Sequence, residues 1–245
     1  MKTLRIIAIV VFAANIFCLQ AQTITIHKVD GTKIEYHCGE VDSIVNYQIM
    51  PETEKHEVVD LGLSVLWATC NVGAEKPLQG GNKYAWGETE PRNEGAIDDY
   101  WFYTSSNEYV DIGQNISGTI YDAAHIEWGG DWRMPTKEEL EELINKCTWE
   151  WVGVAGSYGF IITGTNGNRI FLPATNYYNN ANSNSSTHKY YANYWTSSLR
   201  YKYSSWHLSI NGYYNFLNVL ERNAKELSSD YSRSSLCFIR PVKNK

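Results

Sequence analysis

Residues 159–173 constrain the fold of this 245-residue chain more than any other stretch. Phe160-Ile161-Ile162-Thr163 and Arg169-Ile170-Phe171-Leu172 flank Asn166-Gly167. An Asn-Gly turn between two such runs is a strong signal for an antiparallel hairpin. A sheet begun this way needs a second layer to cover its apolar face. Other runs read as strands too. Val58–Val72 is strand-rich with a break at Gly62, and Val65, Trp67 and Thr69 alternate with Leu66, Ala68 and Cys70. Both of its faces are apolar, as in a strand covered on two sides. Tyr84-Ala85-Trp86 is a shorter candidate, and Leu236–Val242 is expected to form the last strand. Trp206, Leu208 and Ile210 alternate with His207, Ser209 and Asn211, which places the first set in the core and the second toward water.

Helices are few. Thr136 stands where an N-cap is expected, and Glu139 three residues on completes a capping box. Leu140, Leu143, Ile144 and Cys147 then share one face. A shorter helix is expected from Asp122 through Ile126, stopped by Gly129-Gly130. Sheets with two helices mean an α+β fold.

The N-terminus carries Lys2 and Arg5, an apolar run from Ile6 to Phe17, and a small residue at Ala21. That order fits a secretory signal over residues 1–21, cleaved after Ala21. The run is shorter than the roughly 20 residues of a membrane span, so no transmembrane segment is expected in the mature chain. Lipidation at Cys18 fits less well, because bulky Phe17 precedes it. Residues 22–47 read as a β-hairpin module turning at Asp30-Gly31, residues 48–57 as a linker, and residues 58–245 as the main domain. In an oxidising compartment Cys38, Cys70, Cys147 and Cys237 have three possible pairings. Cys70 and Cys237 lie in strand-like runs and read better as buried small hydrophobes.

Six blocks in order resemble the Fibrobacter succinogenes major paralogous domain family. They are Val59-Asp60-Leu61-Gly62-Leu63 with Leu66–Gly73, Tyr84–Thr89, Tyr121–His125 with Trp128–Thr136, Ile170–Ala174, Tyr194–Ser198 and Ile239–Val242. The resemblance implies an exported protein, mostly found in Bacteroidetes, with a C-type lectin or formylglycine-generating-enzyme type of fold: a curled antiparallel sheet with two helices. It also implies that Trp67–Val72 and Cys237–Val242 are neighbours. The N-terminal hairpin resembles a short module at the start of other secreted Bacteroidetes proteins. The family brings no well-established activity with it.

No catalytic constellation is legible. The formylglycine-generating enzymes use a pair of cysteines near the C-terminus, where this chain has Cys237 alone. Glu88, Glu90, Asp98, Asp99, Asp111, Asp122, Glu127 and Asp131 are scattered rather than paired as a glycosidase requires. Asp122 is more simply a helix cap. Glu90-Pro91-Arg92 and Trp195-Thr196-Ser197 depart from the calcium motifs of lectins of this fold. No metal site or cofactor is therefore assigned, although Asp98, Asp99 and Asp111 are oxygen donors of the kind calcium takes. Trp128, Trp132, Arg133 and Pro135 are read as structural.

A net charge of −6 argues against a nucleic-acid partner. The compositional signal lies near the C-terminus, where ten of the 18 tyrosines fall between residues 176 and 235 among many Asn and Ser. Tyr offers large contact area at small entropic cost, and Ser and Asn offer adaptable hydrogen bonds, as in antibody loops. The expectation is a recognition or adhesion protein, secreted or held at the cell surface or in the periplasm, that binds a glycan or a surface protein. Tyr201, Tyr203, Tyr213 and Tyr214 would stack on the partner; His207, Ser209, Asn211 and Asn215 would hydrogen-bond it. Trp206 is expected in the core. Some family members also resemble targets of diversity-generating retroelements, which would enrich such residues on one face. The alternatives are a carbohydrate-active or protein-modifying enzyme of the same fold and a structural subunit of a fimbria or surface layer.

Overall fold

The computed structural model describes residues 56–93, 95–106, 108–179, 187–215 and 223–245, and the backbone of two strands before them. The signal-like segment, the Asp30-Gly31 turn, Cys38 and most of the linker lie outside the described residues. The chain divides into two compact units, Met1–Met50 and Pro51–Lys245. In the first, β1 (Thr23–His27) pairs antiparallel with β2 (Lys33–His37), Thr23 opposite His37.

The second unit is α+β, with three antiparallel sheets and two helices. β3 (Val58–Asp60) and β4 (Val65–Ala68) are joined by a turn at Gly62, whose φ of +75° suits glycine. The short helix α1 (Ala123–Trp128) begins on Asp122, whose Oδ1 accepts the amides of Ala124 and His125. Its Oδ2 accepts those of Gly118 and Met134. Burial pushes this carboxyl up, against the four backbone bonds that pull it down. In α2 (Lys137–Lys146) the capping box is present in full: Thr136 Oγ1 accepts from Glu139 N, and Glu139 Oε2 accepts from Thr136 N. Arg133 grips that same Glu139 carboxylate at 2.6 and 2.9 Å and reaches Asn244 at 2.8 Å, a structural role.

Next come β5 (Thr148–Val154), β6 (Ser157–Thr163) and β7 (Arg169–Pro173), in that spatial order. The hairpin at residues 159–173 forms as its sequence predicts, with Thr163 opposite Arg169 and Gly167 at a φ of +86°. The largest sheet contains β8 (Asn176–Asn179), the 15-residue β9 (Thr187–Tyr201), β10 (Ser204–Asn215) and β11 (Asn223–Ser232), ordered β11-β10-β9-β8. A glycine at 212 lets the Trp151 ring lie against β10; a Cβ there would stand 2.2 Å from it.

The β9–β10 ribbon separates two cores. Ala192, Tyr194, Leu208 and Ile210 face one built with Trp67, Leu140, Leu143, Trp151 and Phe160. Trp195 faces the other, with Val72, Tyr84, Trp86, Met134 and Ile239. Cys70, Cys147 and Cys237 carry free, buried thiols, and burial pushes each of them up.

Leu236–Val242 is not one strand. The last strand, β12 (Val242–Asn244), begins after Pro241, which has no amide to give to a ladder. Upstream, the segment threads between neighbours through single exchanges: Cys237 with Tyr84, Phe238 with Asn193 and Trp195, and Ile239 with Val72. β12 pairs with β4, Val242 opposite Trp67, so Trp67–Val72 and Cys237–Val242 are neighbours. Beside them Arg240 is 2% exposed. It donates to Asn71 Oδ1 (2.7 Å) and to the carbonyls of Ala68 (3.0 Å), Thr69 (2.7 Å) and Phe171 (3.0 Å).

Two outcomes follow. Arg240→Met strands one amide oxygen and three carbonyls, and lowers the unfolding free energy by about 3–5 kcal/mol in a urea titration. Glu142 gives a pH dependence. Burial raises its carboxyl, but this is outweighed by hydrogen bonds from Lys146 and from the Ser64 hydroxyl and amide, which hold it down at about 2. A depressed carboxylate stabilises the fold above its ordinary pKa of about 4.3, and that contribution is lost as the pH falls toward 2. Glu142→Gln therefore lowers the thermal midpoint at neutral pH, and the difference from wild type shrinks in acid.

Candidate functional site

The β9–β10 turn consists of Lys202 and Tyr203, between Tyr201 and its partner Ser204. So short a turn cannot hide large side chains, and Tyr201 and Tyr203 stand 48% and 59% exposed. Their rings are nearly parallel, with centroids 5.9 Å apart. Arg200 lies over the Tyr201 ring at 4.7 Å and over the Trp206 ring at 4.8 Å, and it donates to the Tyr201 hydroxyl at 3.0 Å. Lys137, at the start of α2, stands 4.9 Å from the same Trp206 ring. Cations over aromatic faces fix both partners and keep the rings from folding onto the core.

Beside this tip is a cavity of about 390 Å³. Leu199, Arg200, Tyr201 and Lys202 form one wall; Tyr109, Val110, Asp111 and Gln114 form the other; Arg233 lies at the base. Arg233 is 1% exposed. Its Nε donates to the Tyr100 hydroxyl (3.0 Å) and its Nη1 to the carbonyls of Val110 (3.1 Å) and Lys202 (3.0 Å), which joins the two walls. Its guanidinium carbon lies 5.0–5.6 Å from the ring centres of Trp86, Tyr109 and Tyr100. Its backbone amide donates to Tyr203 O and its carbonyl accepts the Trp86 amide, so the tip is tied to it through the backbone as well. Burial pushes the Tyr100 phenol far up, with Arg233 opposing, so the phenol stays neutral. At the rim, Lys202 stands 3.8 Å from Glu108.

The residues expected to form one face do not all meet. Tyr201 and Tyr203 are exposed at the turn, while Tyr213, Tyr214 and Asn215 lie at the far end of β10. At about 3.3 Å per residue, ten residues of strand separate Tyr203 from Tyr213 by about 33 Å. The side chains of Tyr213, Tyr214 and Asn215 lie outside the described residues. Ser209 and Asn211 are half-buried within a strand paired on both edges.

His207 and Trp206 are corrections. His207 was expected outside, yet it is 4% exposed, its ring 4.7 Å from Tyr231 and 6.0 Å from Trp195. Trp206 was expected in the core, yet it is half-buried under Arg200 and Lys137. The cause is a bulge: the register of β10 shifts between Ser205 and His207 against both neighbours. Trp206 alone stands opposite Ser229 and Asp230 of β11 and opposite residues 196–198 of β9, so extra residues on both partners disturb the pleat. At this end the second core covers the face that alternation assigns to water.

Sequence reasoning missed Arg233 and the 109–114 wall. A lone arginine among serines has no periodicity to mark it. Glu88 is buried against Arg92 and the Trp101 amide, a structural anchor. Asp98, Asp99 and Asp111 do not gather: among the described residues no three His, Cys, Asp or Glu side chains are grouped as a metal site needs. Also among the described residues, no helix is long and apolar enough to cross a membrane.

No family model, no curated protein and no solved structure matches this chain.

The tip and its anchor separate in a stability experiment. Replacing Tyr201 and Tyr203 together by Ala leaves the unfolding free energy within about 1 kcal/mol of wild type, as for surface changes generally. Arg233→Met removes three hydrogen bonds from a buried site and lowers it by about 3 kcal/mol. Urea titrations of the three proteins read both effects.

Proposed function

We propose that this chain is an exported recognition protein, of C-type lectin-like fold, that binds a glycan or surface protein at the β9–β10 tip. One observation carries the reading: two tyrosines with parallel rings project from a two-residue turn at the rim of a 390 Å³ cavity. Large rings held in solvent without core contacts leave apolar surface for another molecule to cover. The cavity falls within the roughly 300–1,000 Å³ of small-ligand sites. Among the described residues its lining offers phenols, an amide, cations and the single carboxylate of Asp111, groups suited to holding a ligand rather than to paired acid–base chemistry.

The fold assignment draws support from the way the six sequence blocks interlock. Arg240 of the last block holds Asn71 of the first and Phe171 of the fourth. Trp86 Nε1 donates to Thr196 O, and Trp195 Nε1 donates to Tyr84 O. Pairing of β4 with β12 closes the domain, as the family resemblance implies. Export rests on the basic and apolar N-terminus of the sequence.

A glycan microarray and a surface-protein pull-down test the reading, with wild type beside the Tyr201→Ala/Tyr203→Ala double variant. Wild type is expected to retain a defined ligand, and the double variant to lose at least about tenfold of the affinity, the equivalent of about 1.4 kcal/mol. Equal retention by both proteins removes the tip as the site.

A further inference from the structure

From the charges around the cavity we infer that the ligand of the β9–β10 tip is an acidic carbohydrate, its carboxylate or sulfate entering the cavity while its ring lies against Tyr201 and Tyr203. The inference rests on the recognition reading above and adds the ligand's charge and class.

The carrying observation is at the base of the cavity. Arg233 Nη2 is buried and finds no acceptor among the described residues. The guanidinium is surrounded by rings, and among the described residues no carboxylate lies within ion-pair distance of it. A buried cation balanced only by carbonyl dipoles and π faces leaves its field unneutralised. That field opens on a cavity whose wall adds Arg200 and Lys202 and whose only lining acid among the described residues is Asp111. Asp111 keeps its charge while its Oδ1 accepts the Gly113 amide at 2.9 Å, but the lining sets three cations, Arg200, Lys202 and Arg233, against it. Glu108 faces Lys202 at 3.8 Å, with both side chains mostly exposed, an arrangement of little strength. The cavity therefore attracts an anion although the whole chain is acidic.

Shape selects the class. Arg200 is already spread between the Tyr201 and Trp206 rings, which leaves guanidinium edges for an oxyanion and phenol faces for a flat ring. A ring with an attached acid group fits both at once; an extended acidic peptide would need a longer groove than a 390 Å³ cavity supplies.

Calorimetric titration of the purified chain decides this, with trigalacturonate as the carboxylated probe, a sulfated disaccharide as the second acid and galactotriose as the neutral control. At least one acidic probe is expected to bind about tenfold or more tighter than galactotriose, and to weaken as salt rises. Arg200→Gln/Lys202→Gln, a surface change that leaves the fold intact, should bring acidic binding down to the neutral level. Equal binding of acidic and neutral probes, both lost in the Tyr201→Ala/Tyr203→Ala variant, overturns the charge inference and leaves the tip as a recognition site. Acidic binding that survives Arg200→Gln/Lys202→Gln unchanged overturns the assignment to this cavity. Binding of none of the three overturns the inference outright, and the array experiment then judges the tip separately.

Discussion

The fold depends first on a charge buried without a countercharge. Arg240 lies inside the domain with no acid paired to it among the described residues, held by one amide oxygen and three backbone carbonyls. Those partners come from the end of β4 with the turn after it and from β7, segments about 100 residues apart in sequence that share no ladder with each other. A guanidinium suits this place because its donors lie in a fixed plane and stay protonated even where burial pulls the pKa down, as it does here. An aliphatic side chain of equal volume would fill the space and leave four acceptors dry.

Much of the local structure was legible because it depends on a few neighbouring residues. Thr136 with Glu139, Asp122 with Gly129, and Asn166-Gly167 each act within one turn of chain, and each does what its chemistry predicts. What escaped was set by distant partners. β8, β9 and β11 are rich in tyrosine, serine and asparagine, and no clean alternation announces them; near the β9–β10 turn the ribbon is covered on both faces, with Tyr194 in one core and Trp195 in the other. The final strand was misplaced for a local reason, Pro241, whose effect shows only when the strand it would pair with is known.

The candidate site divides along the same line. Tyr201 and Tyr203 were visible as tyrosines outside the apolar pattern, and their exposure follows from the two-residue turn, which Tyr201 precedes and Tyr203 completes. His207 went the other way, since Trp206 stands opposite Ser229 and Asp230 of β11 and residues 196–198 of β9. The irregular pairing there turns His207 toward Trp195 and Tyr231 while Leu208 and Ile210 keep their inward places. Arg233 and Tyr109 were invisible because their role is spatial: one arginine joins strand, loop and hairpin, and nothing in its sequence neighbourhood hints at three aromatic rings converging on it.

The pairing of β12 with β4 also has a bearing on how the domain comes into being. Arg240 reaches Asn71 across 169 residues of chain, and Val242 meets Trp67 across a similar span. Contacts so remote form only after nearly the whole domain has been made and its ends have diffused together, a slow, entropically costly closure. Until then the first strands lack the edge that covers them. The domain is thus a latch that shuts late, and a ribosome that still holds residues 237–242 keeps it open.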